Sequence, residues 1–307
     1  MKTLVNRQLD FMGKRKAAFA VSGLLILASI VALLLQQLNL GLDFTGGTLV
    51  EVRYAVAPSL DAVRQALEAA EFRDVSVQTF GAANEVLIRL QQAFDADVGD
   101  RVVELLRRSG EEVDLVRAEF VGAQVGDQLR DQSGLGLLVA LGIVMLYVAF
   151  RFQYKFAIGA LLALLHDVII VVGAFALFQW EFDLTVLAAV LAVIGYSLND
   201  TIVVYDRIRE NIRKSRIDDM AAIFNESLNQ TLSRTLATSG TTLLVLVALL
   251  ALGGDMIEGF AIALILGVVV GTYSSIYVSG ALLLPLGLSR EDLIPARKED
   301  PEAEELP

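Results

Sequence analysis

Six long apolar segments constrain this chain more than any other feature of its sequence. A helix needs about 20 mostly apolar residues to cross the hydrocarbon core of a bilayer. The whole chain is 55% hydrophobic, whereas a typical soluble domain is roughly 45–50% apolar. The pattern predicts a membrane α-helical bundle of six transmembrane helices, at residues 17–35, 134–150, 156–178, 184–205, 236–252 and 257–284.

These spans divide the chain into regions of different composition. The first apolar segment is too long for a signal-peptide core, and no small-residue cleavage site follows it, so we interpret it as a retained anchor. We predict a cytoplasmic N-terminal lead at 1–16, transmembrane helix one at 17–40, an extracytoplasmic (periplasmic) domain at 41–133, transmembrane helices two to six at 134–288 with a cytoplasmic loop at 206–234, and a cytoplasmic tail at 289–307.

The distribution of Lys and Arg predicts the orientation. Both residue types are frequent in the N-terminal lead, in the second-to-third and fourth-to-fifth connections, and in the tail. The short loops 179–183 and 253–256 contain neither. By the positive-inside rule, we expect a multi-pass protein of the cytoplasmic (inner) membrane with both termini in the cytoplasm.

The extracytoplasmic segment 41–133 alternates between two periodicities. Its pattern predicts the order β-α-β-β-α-β of a ferredoxin-like α+β domain, with strands at 48–56, 74–80, 85–90 and 113–121 and helices at 60–72 and 97–109. We expect Ser59 to cap the first helix, Gly110 to end the second, and residues 81–84 to form a hairpin turn. This fold does not by itself name a function. The acidic residues of the domain form either a solvated face or a surface that touches a translocating chain or a partner domain.

Asp200 is the main candidate functional residue, because it lies inside an apolar span. A charge at that depth costs roughly 2.5–3.5 kcal/mol on insertion scales and often marks an ion or proton path. The alternative is a buried polar contact that only holds helices together. Ser197 and Thr201 share one helix face, and Asn199 does not lie on that face with them.

The third span contains a second ionisable pair, His166 and Asp167. A neutral histidine could simply bond to a neighbouring helix, or the pair could relay protons, because histidine titrates near neutral pH. The sequence favours neither interpretation.

Three further motifs flank these residues. Gly46 and Gly47 permit a tight turn before the first strand, and Asp43 beside them could cap or hinge the domain. Arg234 precedes a threonine-rich entry to the fifth span, which is either a packing surface or a hydrated inner mouth with Arg234 as the counter-charge of Asp200. Gly267 and Gly271 form a small-xxx-small pair that suits close helix packing.

Composition excludes several classes of protein. The chain has no cysteine and one histidine, so thiolate and multi-histidine metal sites are excluded. It has no G-x-x-x-x-G-K-[ST] loop for nucleotide binding, and its net charge of −11 argues against nucleic acid as a partner. We expect no enzymatic activity and no cofactor.

The ordered set of motifs GLDFTGGT, GYSLNDTIVVYDRIREN, NESLNQTLSRTLATSGTT and GTYSSIY resembles the SecF family. Its members are the smaller subunits of the SecD–SecF complex, which assists Sec-dependent protein export. The family belongs to the resistance-nodulation-division superfamily, in which the proton motive force drives movement of outer domains. The resemblance therefore implies a proton gradient as the energy source and no cofactor. The resemblance covers nearly the whole chain.

The resemblance implies the roles of particular residues and partners. The family's intramembrane Asp falls on Asp200, and its essential Arg falls on Arg234. Ser197, Asn199, Thr201, His166 and Asp167 complete the candidate proton-coupling set. The implied partners are a separate SecD-like protein, a SecY-type translocation channel, exported preproteins and membrane lipid.

Two alternative functions remain open at this point. A small-molecule exporter subunit of the same superfamily would need an apolar substrate pocket in larger outer domains. A membrane receptor with a sensor domain would not need Asp200 or Arg234.

Overall fold

The protein is described by a computed structural model, which describes residues 9–70, 72, 75–90, 97–108, 110–215 and 219–293. Parts of the predicted N-terminal lead, of the fourth-to-fifth connection and of the tail therefore lie outside the described residues. Within the described ranges there are nine α-helices: α1 (Arg15–Leu35), α2 (Leu42–Thr45), α3 (Leu60–Ala69), α4 (Val98–Arg108), α5 (Ala123–Arg151), α6 (Tyr154–Phe178), α7 (Leu184–Lys214), α8 (Met220–Leu252) and α9 (Glu258–Ser274). The strands found there are β1 (Asn39–Leu40), β2 (Gly47–Tyr54), β3 (Ser76–Phe80), β4 (Ala82–Leu90), β5 (Val113–Val121) and β6 (Glu181–Phe182).

The prediction of six transmembrane helices is confirmed. α1, α5, α6, α7, α8 and α9 are each long and apolar enough to cross a membrane, α9 when its π-helical continuation Ser275–Gly280 is included. In their most apolar windows, 56% of α6, 50% of α7 and 44% of the α9 span is buried, against 22% of α1, 17% of α8 and 6% of α5. The bundle therefore has α6, α7 and α9 at its centre.

Small residues bring the central helices close together. A Cβ atom on Gly267 of α9 would overlap the side chain of Val193 on α7, and one on Gly271 would lie 3.1 Å from Cβ of Ser197. The sequence prediction of a small-xxx-small packing surface is confirmed for this pair of helices. This packing also brings serine side chains of α7 and α9 to the same depth.

The domain between α1 and α5, predicted to be extracytoplasmic, has the predicted order β-α-β-β-α-β. Its four-stranded sheet has the order β3-β4-β2-β5, and every neighbouring pair is antiparallel. Each of the two helices connects two strands that have a third strand between them, so both β-α-β units are split. One face of the sheet packs on α3 and α4 through an apolar core that includes Val50, Ile88, Leu67 and Val102.

The two-glycine turn forms a tight junction between this domain and the bundle. Gly46 has φ 67° and ψ 175°, a conformation that is essentially restricted to glycine. A Cβ on Gly46 would lie 2.6 Å from Cα of Ala123, the first residue of α5. The side chain of Asp43 accepts a hydrogen bond from the backbone N–H of Leu184 at 3.0 Å. Asp43 therefore caps α7, one of the two roles considered for it, and the junction joins the domain to two spans.

Three local predictions differ from the structure. The predicted turn over 81–84 is reduced to a single residue, Gly81, whose φ is 67°, because residues 82–84 already belong to β4. Ser59 is the N-cap residue of α3 but makes no side-chain capping hydrogen bond. The polar segment 206–234, predicted as a loop, is mostly helical in its described part, because α7 extends to Lys214 and α8 begins at Met220. Charged residues near helix ends mark where a span leaves the membrane, not where the helix stops.

Candidate functional site

Asp200 lies on α7 in the interior of the bundle. Its side chain is 3% exposed, and its Oδ2 atom has no hydrogen-bond partner among the described residues. Ser197 and Thr201 are also buried, at 0% and 2% exposure. These three residues occupy the inward face of α7, as the spacing of Ser197 and Thr201 predicts. A buried carboxylate oxygen without a partner is unfavourable when charged, so the site favours uptake of a proton or a cation.

Arg234 lies on the neighbouring helix α8, but it does not form a direct pair with Asp200. The Arg234 side chain is exposed on the surface of the bundle, and no ion pair within 4.0 Å links it to Asp200. The guanidinium is still close enough for its charge to act on Asp200. The role of Arg234 as the counter-charge of Asp200 therefore stays a prediction, with no direct bond between the two side chains.

Asn199 and Arg234 belong to an exposed polar surface on the spans. Asn199 and Gly195 are exposed on α7, and Arg234 and Thr241 are exposed on α8. Lipid cannot hydrogen-bond to the amide of Asn199 or the guanidinium of Arg234, whereas the hydroxyl of Thr241 already donates to carbonyls of its own helix. This surface, defined by these four residues, therefore suits a protein neighbour at Asn199 and Arg234.

His166 and Asp167 form the centre of a buried hydrogen-bond cluster. The Nδ1 atom of His166 lies 2.8 Å from Oδ1 of Asp167. The other carboxylate oxygen of Asp167 accepts hydrogen bonds from Ser197 of α7 at 2.5 Å and from Ser274 of α9 at 2.7 Å. On the other side, Nε2 of His166 is 3.2 Å from Oγ of Ser22 on α1. The cluster therefore links four spans.

A tyrosine extends this cluster toward the edge of the bundle. The hydroxyl of Tyr273 lies 3.0 Å from Oγ of Ser22 and donates to the carbonyl oxygen of Ala18 at 2.7 Å. From Ser22 through His166 and Asp167, a continuous series of polar contacts reaches Ser197. Ser197 lies three residues before Asp200 on α7, which is nearly one helical turn.

A second polar contact joins α7, α8 and α9 next to Ser197. The hydroxyl of Tyr196 donates to Ser239 at 3.2 Å, and Ser239 lies 2.7 Å from the hydroxyl of Thr272. Tyr196 is four residues before Asp200, so both side chains project from neighbouring positions on α7. Two interhelical polar contacts therefore begin on α7 about one turn before Asp200.

Sequence reasoning missed several members of this site. Ser22, Tyr196, Ser239 and Tyr273 were not singled out, although Tyr273 and Ser274 stand in the motif GTYSSIY. Ser22 is the member with the least signal, because a single serine in an apolar span is common. Its contact with His166 depends on how α1 packs against α6, which the sequence does not specify.

Where the bundle meets the domain between α1 and α5, a charged contact joins the two. Arg89 of β4 forms an ion pair with Glu181 of β6 and donates to the carbonyl oxygen of Leu40 at 3.1 Å. Burial raises the pKa of Glu181, and the positive charge of Arg89 opposes that rise. A cleft of about 440 Å³ beside this pair separates the sheet from the span ends.

In the part of the chain that the structure describes, no group of three or more His, Asp or Glu side chains is placed to hold a metal ion. The polar groups of the bundle interior are instead serine, threonine and tyrosine hydroxyls around two carboxylates and one imidazole. Such groups can donate and accept protons along a series of hydrogen bonds.

Comparison with known proteins gives consistent results over the whole chain. Residues 101–289 match the family model described as protein export membrane protein SecD/SecF, C-terminal, and residues 31–57 match the SecD/SecF GG motif. The chain is 52% identical over 294 residues to the protein translocase subunit SecF of Pseudomonas aeruginosa, covering 95% of this chain and 96% of that protein. It is 50% identical to the SecF subunit of Vibrio alginolyticus, covering 98% of each chain.

The fold also matches a solved structure. The crystal structure of SecDF, a translocon-associated membrane protein from Thermus thermophilus, superposes with a TM-score of 0.85 at 39% sequence identity. The match covers 92% of this chain and 39% of the SecDF chain. The present chain therefore spans less than half the length of that protein.

Proposed function

This chain belongs to the SecF family of protein translocase subunits, and we propose that it uses proton flow past Asp200 to move its outer domain during protein export. As a member of that family it is a multi-pass inner membrane protein of the Sec translocation system and the counterpart of a SecD partner. The proton mechanism, the SecY-type channel, the exported preproteins and the cytoplasmic position of both termini are part of the proposal.

The observation that carries the proposal is the environment of Asp200. It is a buried carboxylate in a central span, with one oxygen unpaired among the described residues and a guanidinium nearby but not bonded to it. A carboxylate in a fixed ion pair would hold its charge at all times. Asp200 can instead change between a neutral form in the apolar interior and a charged form attracted by Arg234.

Protonation of Asp200 changes the force between α7 and α8. When Asp200 is charged, it attracts Arg234 across the gap between the helices; when it is neutral, that attraction is lost. Movement of α7 reaches the outer domain directly, because the side chain of Asp43 caps the outer end of α7 and Arg89 contacts the preceding loop at Glu181. Charge at Asp200 is thus converted into a displacement at the junction.

The Asp167 cluster supplies a route for protons to this site. Its contacts extend from Ser22 through His166 and Asp167 to Ser197, within one turn of Asp200. The imidazole of His166 contacts Asp167 through one ring nitrogen and Ser22 through the other, so a proton can be taken up at one nitrogen and released from the other. Thr201 continues the same polar face on the other side of Asp200.

The exposed polar surface of Asn199, Gly195, Arg234 and Thr241 is the proposed contact with the membrane spans of SecD. The solved SecDF protein has in one chain more than twice the length that this chain matches, so a partner of comparable size is available to cover it. A contact there would also exclude lipid from the gap between Asp200 and Arg234. A cysteine cross-link from position 199 tests this contact directly.

The proton role is tested by flux into vesicles that contain the purified pair of this chain and SecD. We expect Asp200→Asn to reduce proton flux to the level of empty vesicles, because the amide cannot be charged. Asp127→Asn is the matched control, since Asp127 is exposed on α5 and paired with Arg130. Undiminished flux in the Asp200→Asn protein would exclude the proposed role.

A second variant separates relay from packing. If His166 relays protons, His166→Gln lowers flux while the thermal unfolding midpoint stays within the range of the control, because glutamine can keep one hydrogen bond. If flux is unchanged, the cluster serves only to hold the four spans together.

A further inference from the structure

The ends of α5 and α7 that are predicted to face the cytoplasm line an open basic cavity that the proposed proton route does not use. Its volume is about 420 Å³. It is lined by Arg151, Asp206, Arg209, Glu210, Arg213 and Lys214. Four cations and two carboxylates line it, which leaves a net charge of +2.

The carboxylates of this basic cavity are already engaged. Asp206 lies 3.4 Å from Arg151, and Glu210 accepts from Lys214 at 2.6 Å. In the described part of the chain, neither Arg209 nor Arg213 takes part in an ion pair. The Nε atom of Arg209 is buried and has no hydrogen-bond partner there. The cavity therefore holds positive charge and a buried donor without a matching acceptor, which is unfavourable unless an anion binds.

We propose that the basic cavity binds the headgroup phosphate of an anionic phospholipid. Guanidinium groups bind phosphate oxygens through parallel N–H donors, and arginine predominates where such planar recognition is needed. Basic pockets between transmembrane helices on the cytoplasmic side are suited to headgroups of this kind. A lipid with two phosphates, of the cardiolipin type, matches the net charge of the cavity.

The surroundings of the basic cavity favour a lipid over free phosphate. Phe150, one residue before Arg151 on α5, has 85% of its surface exposed, and Leu146 one turn earlier is 58% exposed. This apolar surface continues from the cavity along the outside of the bundle, where it can contact an acyl chain. Arg151 itself lies over the ring of Phe152, 5.1 Å from its centroid, which holds its guanidinium at the edge of the cavity.

A bound lipid would supply packing that α5 otherwise lacks. α5 is the least buried span, yet it directly follows the outer domain. A headgroup held by Arg151 on one side and by Arg209 and Arg213 on the other would connect the inner ends of α5 and α7. The lipid would then act as a structural link between the two helices.

The proposal is tested by native mass spectrometry of the purified full chain in detergent, titrated with cardiolipin or with phosphatidylcholine. Each cation near an anionic surface contributes about 1 kcal/mol, or roughly fivefold in affinity. We therefore expect Arg209→Gln/Arg213→Gln to weaken cardiolipin binding by roughly thirty-fold. Phosphatidylcholine binding should not change. Arg64→Gln/Arg108→Gln is the matched control, because both arginines are exposed in the outer domain.

The other outcomes are equally specific. Equal loss of cardiolipin in the control pair, or no loss in Arg209→Gln/Arg213→Gln, would overturn the assignment. Displacement of cardiolipin by excess inorganic phosphate would show that the cavity binds the free ion, and would refute the proposal that a lipid supplies the phosphate. If the glutamine variant does not fold, Arg209→Lys/Arg213→Lys keeps the charge but removes the planar donors. It should bind several-fold more weakly, and unchanged affinity would refute recognition by the arginines.

Discussion

Substitution of Gly46 by alanine tests how tightly the outer domain is joined to the spans. The backbone of Gly46 has φ 67° and ψ 175°, and an added Cβ would lie 2.6 Å from Cα and 2.9 Å from the backbone nitrogen of Ala123. Both neighbours are main-chain atoms, so no side chain can rotate to make room. Relief requires α5 or the turn itself to move.

Two physical contributions set the size of the effect. A non-glycine residue in this backbone region costs roughly 1–3 kcal/mol, and overpacking at a close contact costs about 1–3 kcal/mol more. The sum, about 2–6 kcal/mol, is a large fraction of the roughly 5–15 kcal/mol that stabilises a folded protein. With about 2 °C lost per kcal/mol for a large domain, we expect the unfolding midpoint to fall by roughly 4–12 °C.

The single tryptophan of the chain provides the assay. Trp180 lies in the loop that contacts the outer domain, stacked on Phe178 with a centroid distance of 4.7 Å. Its fluorescence during heating of the purified full chain in detergent reports on this junction. Gly134→Ala on α5 is the control: no atom lies within 4 Å of its Cβ position, and alanine is favoured over glycine in a helix. A Gly46→Ala midpoint equal to that of Gly134→Ala would refute the reasoning.

Two further predictions concern the outer junction and the partner surface. Because burial raises the pKa of Glu181 from its usual 4.5, the folded protein binds a proton there more readily than the unfolded chain does. Stability should therefore fall as pH rises through the window that begins near 4.5. The thermal unfolding midpoint, followed by Trp180 fluorescence, should therefore decrease less over this pH range in Glu181→Gln than in the unsubstituted chain. An equal decrease in the two proteins would show that other groups cause the pH dependence. For the partner surface, Asn199→Cys in this otherwise cysteine-free chain should cross-link to SecD spans carrying introduced cysteines. Leu138→Cys, on the exposed face of α5, should not, and the reverse result would place SecD on the α5 side.

Much of the fold could be predicted because its signals are local and repeated. Six apolar segments and the alternation of the outer domain each extend over many residues, so single deviations do not hide them. The errors fall where a tertiary contact overrides a local signal. Residues 206–214 are charged enough to suggest a loop, yet they continue α7, because Ile208 and Ile212 are buried against the rest of the bundle. Hydropathy detects the membrane boundary, whereas helix length depends on packing beyond it.

The candidate site was only partly predictable, for a similar reason. Asp200, His166 and Asp167 stand out because charge in an apolar span is rare. Serine and tyrosine in such a span are common, so nothing marks Ser22 or Ser274 as partners of the His166–Asp167 pair. Their role depends on the approach of α1 and α9 to α6. That approach is set by small residues such as Gly173, where a Cβ would overlap Ser29 of α1.

Exposure of Arg234 has a consequence for how the site works. A guanidinium on the lipid-facing side of a span would be costly to keep charged, and an ion pair with Asp200 would reduce that cost, yet the two groups remain apart. The separation is consistent with a chain whose bundle is incomplete by itself. If SecD covers Asn199 and Arg234 as proposed, water is excluded from around the two charged groups, and the attraction between Arg234 and Asp200 strengthens because the local dielectric constant falls. The proton site would then be complete only in the assembled complex. Proton flux should accordingly require SecD. Vesicles that contain this chain alone should show the same low proton flux as vesicles that contain the Asp200→Asn variant together with SecD.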